Sequence, residues 1–167
     1  MRQLNMSFGN EGKDIICANL FDKNDLAPFQ GKYITHVSAL VNYMYGYEDK
    51  SGIHAKAVVF EGNEIVREQD FGELAYNAYN AVKLDEPFLV KGDKEIKVGV
   101  RLYDYDEWQW PCIAAVGDDY IPGKSDLYTE DGGKTWESVS DLYDKADIRG
   151  HGRWDITAHL VDTPEGP

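Results

Sequence analysis

Apolar side chains recur at every second position over much of this chain, and a period of two is the repeat of an extended strand, whose successive side chains point to opposite faces. In "YITHVSALVNYMYGY", Val37, Ala39, Val41, Tyr43 and Tyr45 share one side while His36, Ser38, Asn42 and Gly46 share the other. "IHAKAVVFEG" follows after the polar turn "EDKSG", so the two segments are expected to pair as antiparallel neighbours. "NEIVREQ", "NAVKLDEPFLV", "EIKVGVRLY", "PCIAAVG", "SDLYT", "KTWESV" and "RWDITAHLV" supply further strands, with turn signals at "EGNE", "KGDK", "IPGK" and "EDGGK". Many short strands joined by polar turns define an all-β sandwich or barrel.

Helix is scarce. In "DKNDLAPFQGK", Asp25 is expected to cap a short turn over Leu26 and Ala27, Pro28 limits its extension and Gly31 ends it. A second turn is expected in "ESVSDLYDKAD". No second hydrophobic run, linker or low-complexity segment divides the 167 residues, so the expectation is one domain over 1–167, with 1–13 and 163–167 frayed.

Thirty acidic residues stand against 17 basic ones, a net charge of −13 with the acids spread along the chain. Such a surface repels phosphate backbones and carries no basic stripe, which argues against a nucleic-acid partner. No apolar run approaches the roughly 20 residues of a membrane helix, and the opening "MRQLNMSFGNEGKD" has no signal-peptide core, so membrane insertion by this domain is not expected. Cys17 and Cys112 lack CxxC spacing, which leaves two buried thiols or one disulfide between distant strands.

The stretch "YTEDGGKTWES" has the form of an Asp-box, Thr129-x-Asp131-x-Gly133-x-Thr135-Trp136, a motif best known from sialidases. A sialidase propeller repeats its unit around a ring, and a single copy occurs here. Arg2, Arg67, Arg101, Arg149 and Arg153 are scattered rather than arranged as a carboxylate clamp. The motif therefore reads as a hairpin staple: Asp131 accepts from nearby N–H groups, Gly132 and Gly133 take positive φ, and Trp136 packs beneath the turn.

Other chemistry is thin. His36, His54, His151 and His159 form no HExxH or Cys/His framework, and no nucleophile elbow, phosphate loop or dinucleotide fingerprint is present. Asp104 and Asp106 are the kind of carboxylate pair a glycoside hydrolase uses, yet an acid-rich chain produces such pairs by chance. The chain is read as a non-enzyme. The densest unusual segment is "RLYDYDEWQWP". Continued alternation turns Ile96, Val98, Val100 and Leu102 inward and Arg101, Tyr103 and Tyr105 outward, with Trp108 and Trp110 in the loop that Pro111 closes. Flat aromatics beside carboxylates suit a sugar, whose apolar face stacks on a ring while its hydroxyls bond the acids, so Tyr103, Tyr105, Trp108 and Trp110 are the candidate ligand contacts. The competing reading is that these rings are buried. In "AVGDDYIPGKSD", Asp118, Asp119 and Asp126 offer a hard-cation environment for a structural Ca2+, against the alternative of a solvated acidic turn.

The order of segments resembles bacterial surface β-sandwich modules of the cleaved-adhesin type, similar to the haemagglutinin/adhesin domains attached to gingipain proteases and to other galactose-binding-like jelly rolls. The likeness is carried by "ANLFDKNDLAPFQGKYITHVSALV", "AKAVVFEGNEIVREQ", "YNAVKLDEPFLVKGDKEIKVGVRL", "PCIAAVGDDYIPGKSDLY" with "GGKTW", and "DITAHLV". The chain departs from the family pattern at "KVGVRLYDYDEWQW". What the resemblance implies is a jelly-roll sandwich of two antiparallel sheets with eight to ten strands and one or two short helical turns. It also implies a non-catalytic module of an exported or cell-surface protein that binds a glycan or a surface protein, sometimes with calcium. A structural or protein-interaction spacer is the alternative, and a glycoside hydrolase the remote one.

Overall fold

The computed structural model describes residues 3–5, 14–43, 48–106, 109, 111–117, 119–145 and 152–165. Two antiparallel sheets pack face to face. Sheet one contains β1 (Gln3–Asn5), β3 (Tyr33–Tyr43), β6 (Ala78–Leu89), β8 (Pro111–Val116), β11 (Arg153–Trp154) and β12 (Ile156–Val161). Sheet two runs β10 (Glu137–Ser138), β9 (Leu127–Thr129), β2 (Ile15–Phe21), β7 (Ile96–Tyr103), β4 (His54–Glu61) and β5 (Glu64–Asp70). The pairs β2/β9, β3/β8 and β4/β7 nest around the innermost turn from β5 to β6, which is the wrapping of a jelly roll. At that innermost edge β5 and β6 lie in different sheets, and side chains bridge the gap: Arg67 Nε donates to the Glu86 carbonyl (2.7 Å) and the Asp85 N–H donates to Gln69 Oε1 (2.9 Å).

The expected pairing of the β3 and β4 segments does not form. β3 lies in sheet one between β6 and β12, and β4 lies in sheet two between β7 and β5. Alternation states that a segment is half-buried and leaves open which sheet receives it.

The core follows from the pleat. Ile15 and Cys17, Ala55, Ala57 and Val59, and Ile96, Val98, Val100 and Leu102 point inward from sheet two to meet Val37, Ala39, Val41, Ile113, Trp154 and Ile156 of sheet one. Trp154 is fully buried, and its indole N–H donates to the Leu127 carbonyl (2.8 Å), so a large ring enters the core without an orphaned donor. β2 and β7 approach so closely at Gly99 that a Cβ there would stand 2.6 Å from the Cys17 carbonyl oxygen. Both cysteines are free and buried. Burial pushes the Cys112 thiol up to about 12 and the Cys17 thiol higher still.

α1 (Lys23–Leu26) continues into a 3-10 turn over Ala27–Phe29. Its cap is Asp22 rather than Asp25: Asp22 Oδ1 accepts from the Asn24 and Asp25 N–H groups at 2.9 and 3.0 Å, and the Asp25 carboxylate accepts from the Asp22 N–H at 2.9 Å, completing a capping box. Lys124 Nζ then donates to Asp22 Oδ2 (2.8 Å) and Asp25 Oδ2 (2.7 Å), tying the cap to the 121–125 turn. α2 (Val139–Lys145) fills the second expected helical turn.

Three outcomes follow from this packing. Gly99→Ala should destabilise the fold by about 1–3 kcal/mol, read from urea unfolding, because backbone rather than a flexible side chain stands in the way. Neither thiol should react with a disulfide reagent until the chain is unfolded, and rapid labelling of the native protein would contradict the burial. The hydrogen bond from Lys124 first, and the backbone bonds second, lower Asp22 from 3.8 to about 2. A depressed carboxylate stabilises fully above its unfolded value, and that contribution is lost as pH falls through the folded value. Thermal melting of Asp22→Asn should therefore decline less steeply than wild type between about pH 4 and pH 2.

Candidate functional site

Strands β7, β4 and β5 present their outward residues on one face of sheet two. Lys97, Gly99, Arg101 and Tyr103 alternate with the core residues of β7, and register places His54 opposite Tyr103, Lys56 opposite Arg101 and Val58 opposite Gly99. From β5, Asp70 pairs with Lys56 and Glu68 with Val58.

The hairpin between β9 and β10 covers one half of this face. Asp131 Oδ1 accepts from the Thr135 N–H (2.9 Å) and the Thr129 hydroxyl (2.7 Å), Asp131 Oδ2 accepts from the Thr135 hydroxyl (2.6 Å), and the Gly133 N–H donates to Thr129 Oγ1 (3.1 Å). The Thr135 bonds, chiefly, hold the Asp131 carboxyl well below the usual range. Trp136 donates its indole N–H to the Gly133 carbonyl (3.1 Å) and meets Phe60 edge-on at 5.2 Å, over a small apolar cluster with Ile16 and Val58. Lys97 snorkels past the Trp136 ring, its ammonium bonding the Gly62 carbonyl (2.9 Å) and Glu95 (3.1 Å). The Asp-box is thus a staple that seats a second, outer core on sheet two.

The other half of the face is polar and centred on Tyr103. Its ring stacks with His54 (centroids 5.4 Å, interplanar 27°), and the Arg101 guanidinium and Lys56 ammonium stand 4.8 and 5.4 Å from its centroid. The Tyr103 hydroxyl donates to Asp70 Oδ2 (3.4 Å), and Arg101 pairs with Asp14 and, at 3.8 Å, with Glu68. Partial burial first, and the Asp70 charge second, push the phenol upward, so Tyr103 stays a neutral donor at physiological pH.

The remaining candidate residues divide. Tyr105, expected outward, is 3% exposed and part of the core. Asp104 takes φ 59°, which breaks the strand after Tyr103 and ends the alternation that would have turned Tyr105 outward. Burial raises the Tyr105 phenol well above its ordinary value. Trp108 and Trp110 lie outside the described residues. Gln109 between them is buried, donating to the Ser51 carbonyl (2.7 Å) and accepting from the Asp106 N–H (3.1 Å), so the loop is tethered to the turn preceding His54. Asp104 and Asp106 sit exposed at the root of that loop.

Of the three aspartates proposed for a cation, Asp118 lies outside the described residues and Asp119 is exposed. Asp126 is fully buried, and protein donors occupy its carboxylate: the Gly123 N–H (2.8 Å), the Ser138 hydroxyl (2.7 Å), the Ser140 N–H (3.0 Å) and the Ser140 hydroxyl. It ties the 121–126 turn to the start of α2. Among the described residues no three His, Cys, Asp or Glu side chains converge as metal ligands.

Sequence reasoning found Arg101 and Tyr103 but missed His54, Lys56, Glu68 and Asp70 around them. Their signal is the β4–β7 register, which cannot be read while β4 is assigned to β3. Comparison of the chain with family models, with curated proteins and with solved structures gives no match. No helix among the described residues is long and apolar enough to cross a membrane.

Asp126→Ala should cost on the order of 3 kcal/mol, measured by urea unfolding, because it strands several buried donors at once. A loss below about 0.5 kcal/mol would mean that water readily replaces the carboxylate.

Proposed function

We propose that the chain is a non-catalytic adhesion or carbohydrate-binding module of an exported or cell-surface bacterial protein. Ligand is contacted by the Tyr103 half of sheet two and by the adjoining segment that carries Trp108 and Trp110. The observation that carries this reading is the juxtaposition on one outer sheet face of stacked rings, His54 and Tyr103, with a guanidinium, an ammonium and two carboxylates. Sugars are recognised by that mixture: rings for the apolar face of the pyranose, and fixed donors and acceptors for its hydroxyls. The order of segments that resembles cleaved-adhesin modules supports the same reading and points to a glycan or surface-protein partner.

The burial of Tyr105 favours a second reading, a structural or protein-interaction spacer in which the aromatic segment serves the core.

A glycan array, followed by calorimetry on any hit, separates the two. Under the binding reading wild type retains a sugar, and Tyr103→Ala and the Trp108→Ala/Trp110→Ala double variant each weaken it at least about tenfold, roughly 1.4 kcal/mol, at unchanged melting temperature. An empty array, or hits indifferent to both variants, would leave the spacer reading standing.

A further inference from the structure

The outer face of sheet one carries a pair of histidines that the glycan reading does not use. His36 on β3 and His159 on β12 are register partners in adjacent antiparallel strands, with ring centroids 6.2 Å apart at 76°. β3 is irregular at this level against both neighbours: its register shifts between Ile34 and His36 against β6, and the β12 register shifts between His159 and Leu160. Against β12 the extra residue is Thr35, whereas against β6 the surplus, residues 84–87, lies on β6, and such irregularities re-aim the side chains beside them. A β3 hydroxyl holds one nitrogen of each ring: Thr35 Oγ1 lies 3.0 Å from His36 Nδ1, and Ser38 Oγ lies 2.9 Å from His159 Nε2. That leaves His36 Nε2 and His159 Nδ1 without a partner among the described residues. Both rings line an open cavity of about 620 Å³ together with Lys83 and Glu165.

We infer that His36 and His159 form a surface site for a late first-row divalent cation such as Zn2+, with water completing the coordination. An imidazole with one nitrogen oriented by a hydrogen bond and the other open is the arrangement that metal-ligating histidines adopt. Two imidazoles bound to one tetrahedral ion at about 2.0–2.1 Å hold their ring centroids roughly 5 Å apart, so the pair, at 6.2 Å, closes on the ion by about 1 Å of side-chain adjustment. Lys83, the register partner of His36 on β6, is a cation lining the same cavity, and its long exposed chain can swing aside.

Titration of the tag-free chain with zinc chloride tests the assignment. Wild type should take up one ion, and His36→Gln and His159→Gln should each reduce affinity at least about tenfold. Ser38→Ala, which removes only the anchoring hydroxyl, should cost about tenfold or more at unchanged melting temperature. Lys83→Ala should bind as well as or better than wild type. No uptake, or uptake that survives either histidine substitution, as zinc held by the acidic surface would, overturns the assignment.

Discussion

The close contact of β2 with β7 is the constraint on which the rest of the molecule depends. At Gly99 the two strands leave no room for a Cβ, and on either side of that point the inward residues of β7 lie level with those of β2 and β4. Because the pleat alternates strictly, the same register that brings Val98 and Val100 into the core also aligns Lys97, Arg101 and Tyr103 on the outer face. A slip of one residue would exchange the two sets. Core and candidate site are thus two sides of one strand, and neither can be altered in register without the other.

Each sheet manages its outer face differently. Sheet two divides its face between an apolar patch roofed by Trp136 and a charged patch around Tyr103. The Asp131 hairpin makes that division possible, since it holds an indole over Phe60, Val58 and Ile16, where a bare sheet would show apolar side chains to water. On the outer face of sheet one, the β3 hydroxyls of Thr35 and Ser38 stand against the imidazoles of His36 and His159 where the pairing of β3 is irregular.

Local features of this architecture could be read from the sequence, and long-range ones could not. The β7 alternation holds from Ile96 to Tyr103, and the Asp-box bonds close within eight residues, so both were legible. The prediction for Tyr105 failed because one residue, Asp104, adopts a left-handed backbone that its type tolerates without requiring. The network around Asp126 was not legible because its donors on Ser138 and Ser140 come from a segment beyond the intervening hairpin. Asp22 was passed over in favour of Asp25 because a capping box uses both, and the residue at its third helical position resembles a cap in isolation. The polar group around Tyr103 required knowing that β4 adds to β7, a choice of sheet on which alternation is silent.

The nested strand order also governs when the fold can come into being. Residue 39 pairs with residue 156, so the 33–39 part of β3 gains its partner on that side only when β12 is available. Chains whose strands join across such separations pay their loop-closure entropy before long-range contacts reward it, and they fold slowly. A growing chain of this sequence therefore remains without a completed first sheet until β12 arrives.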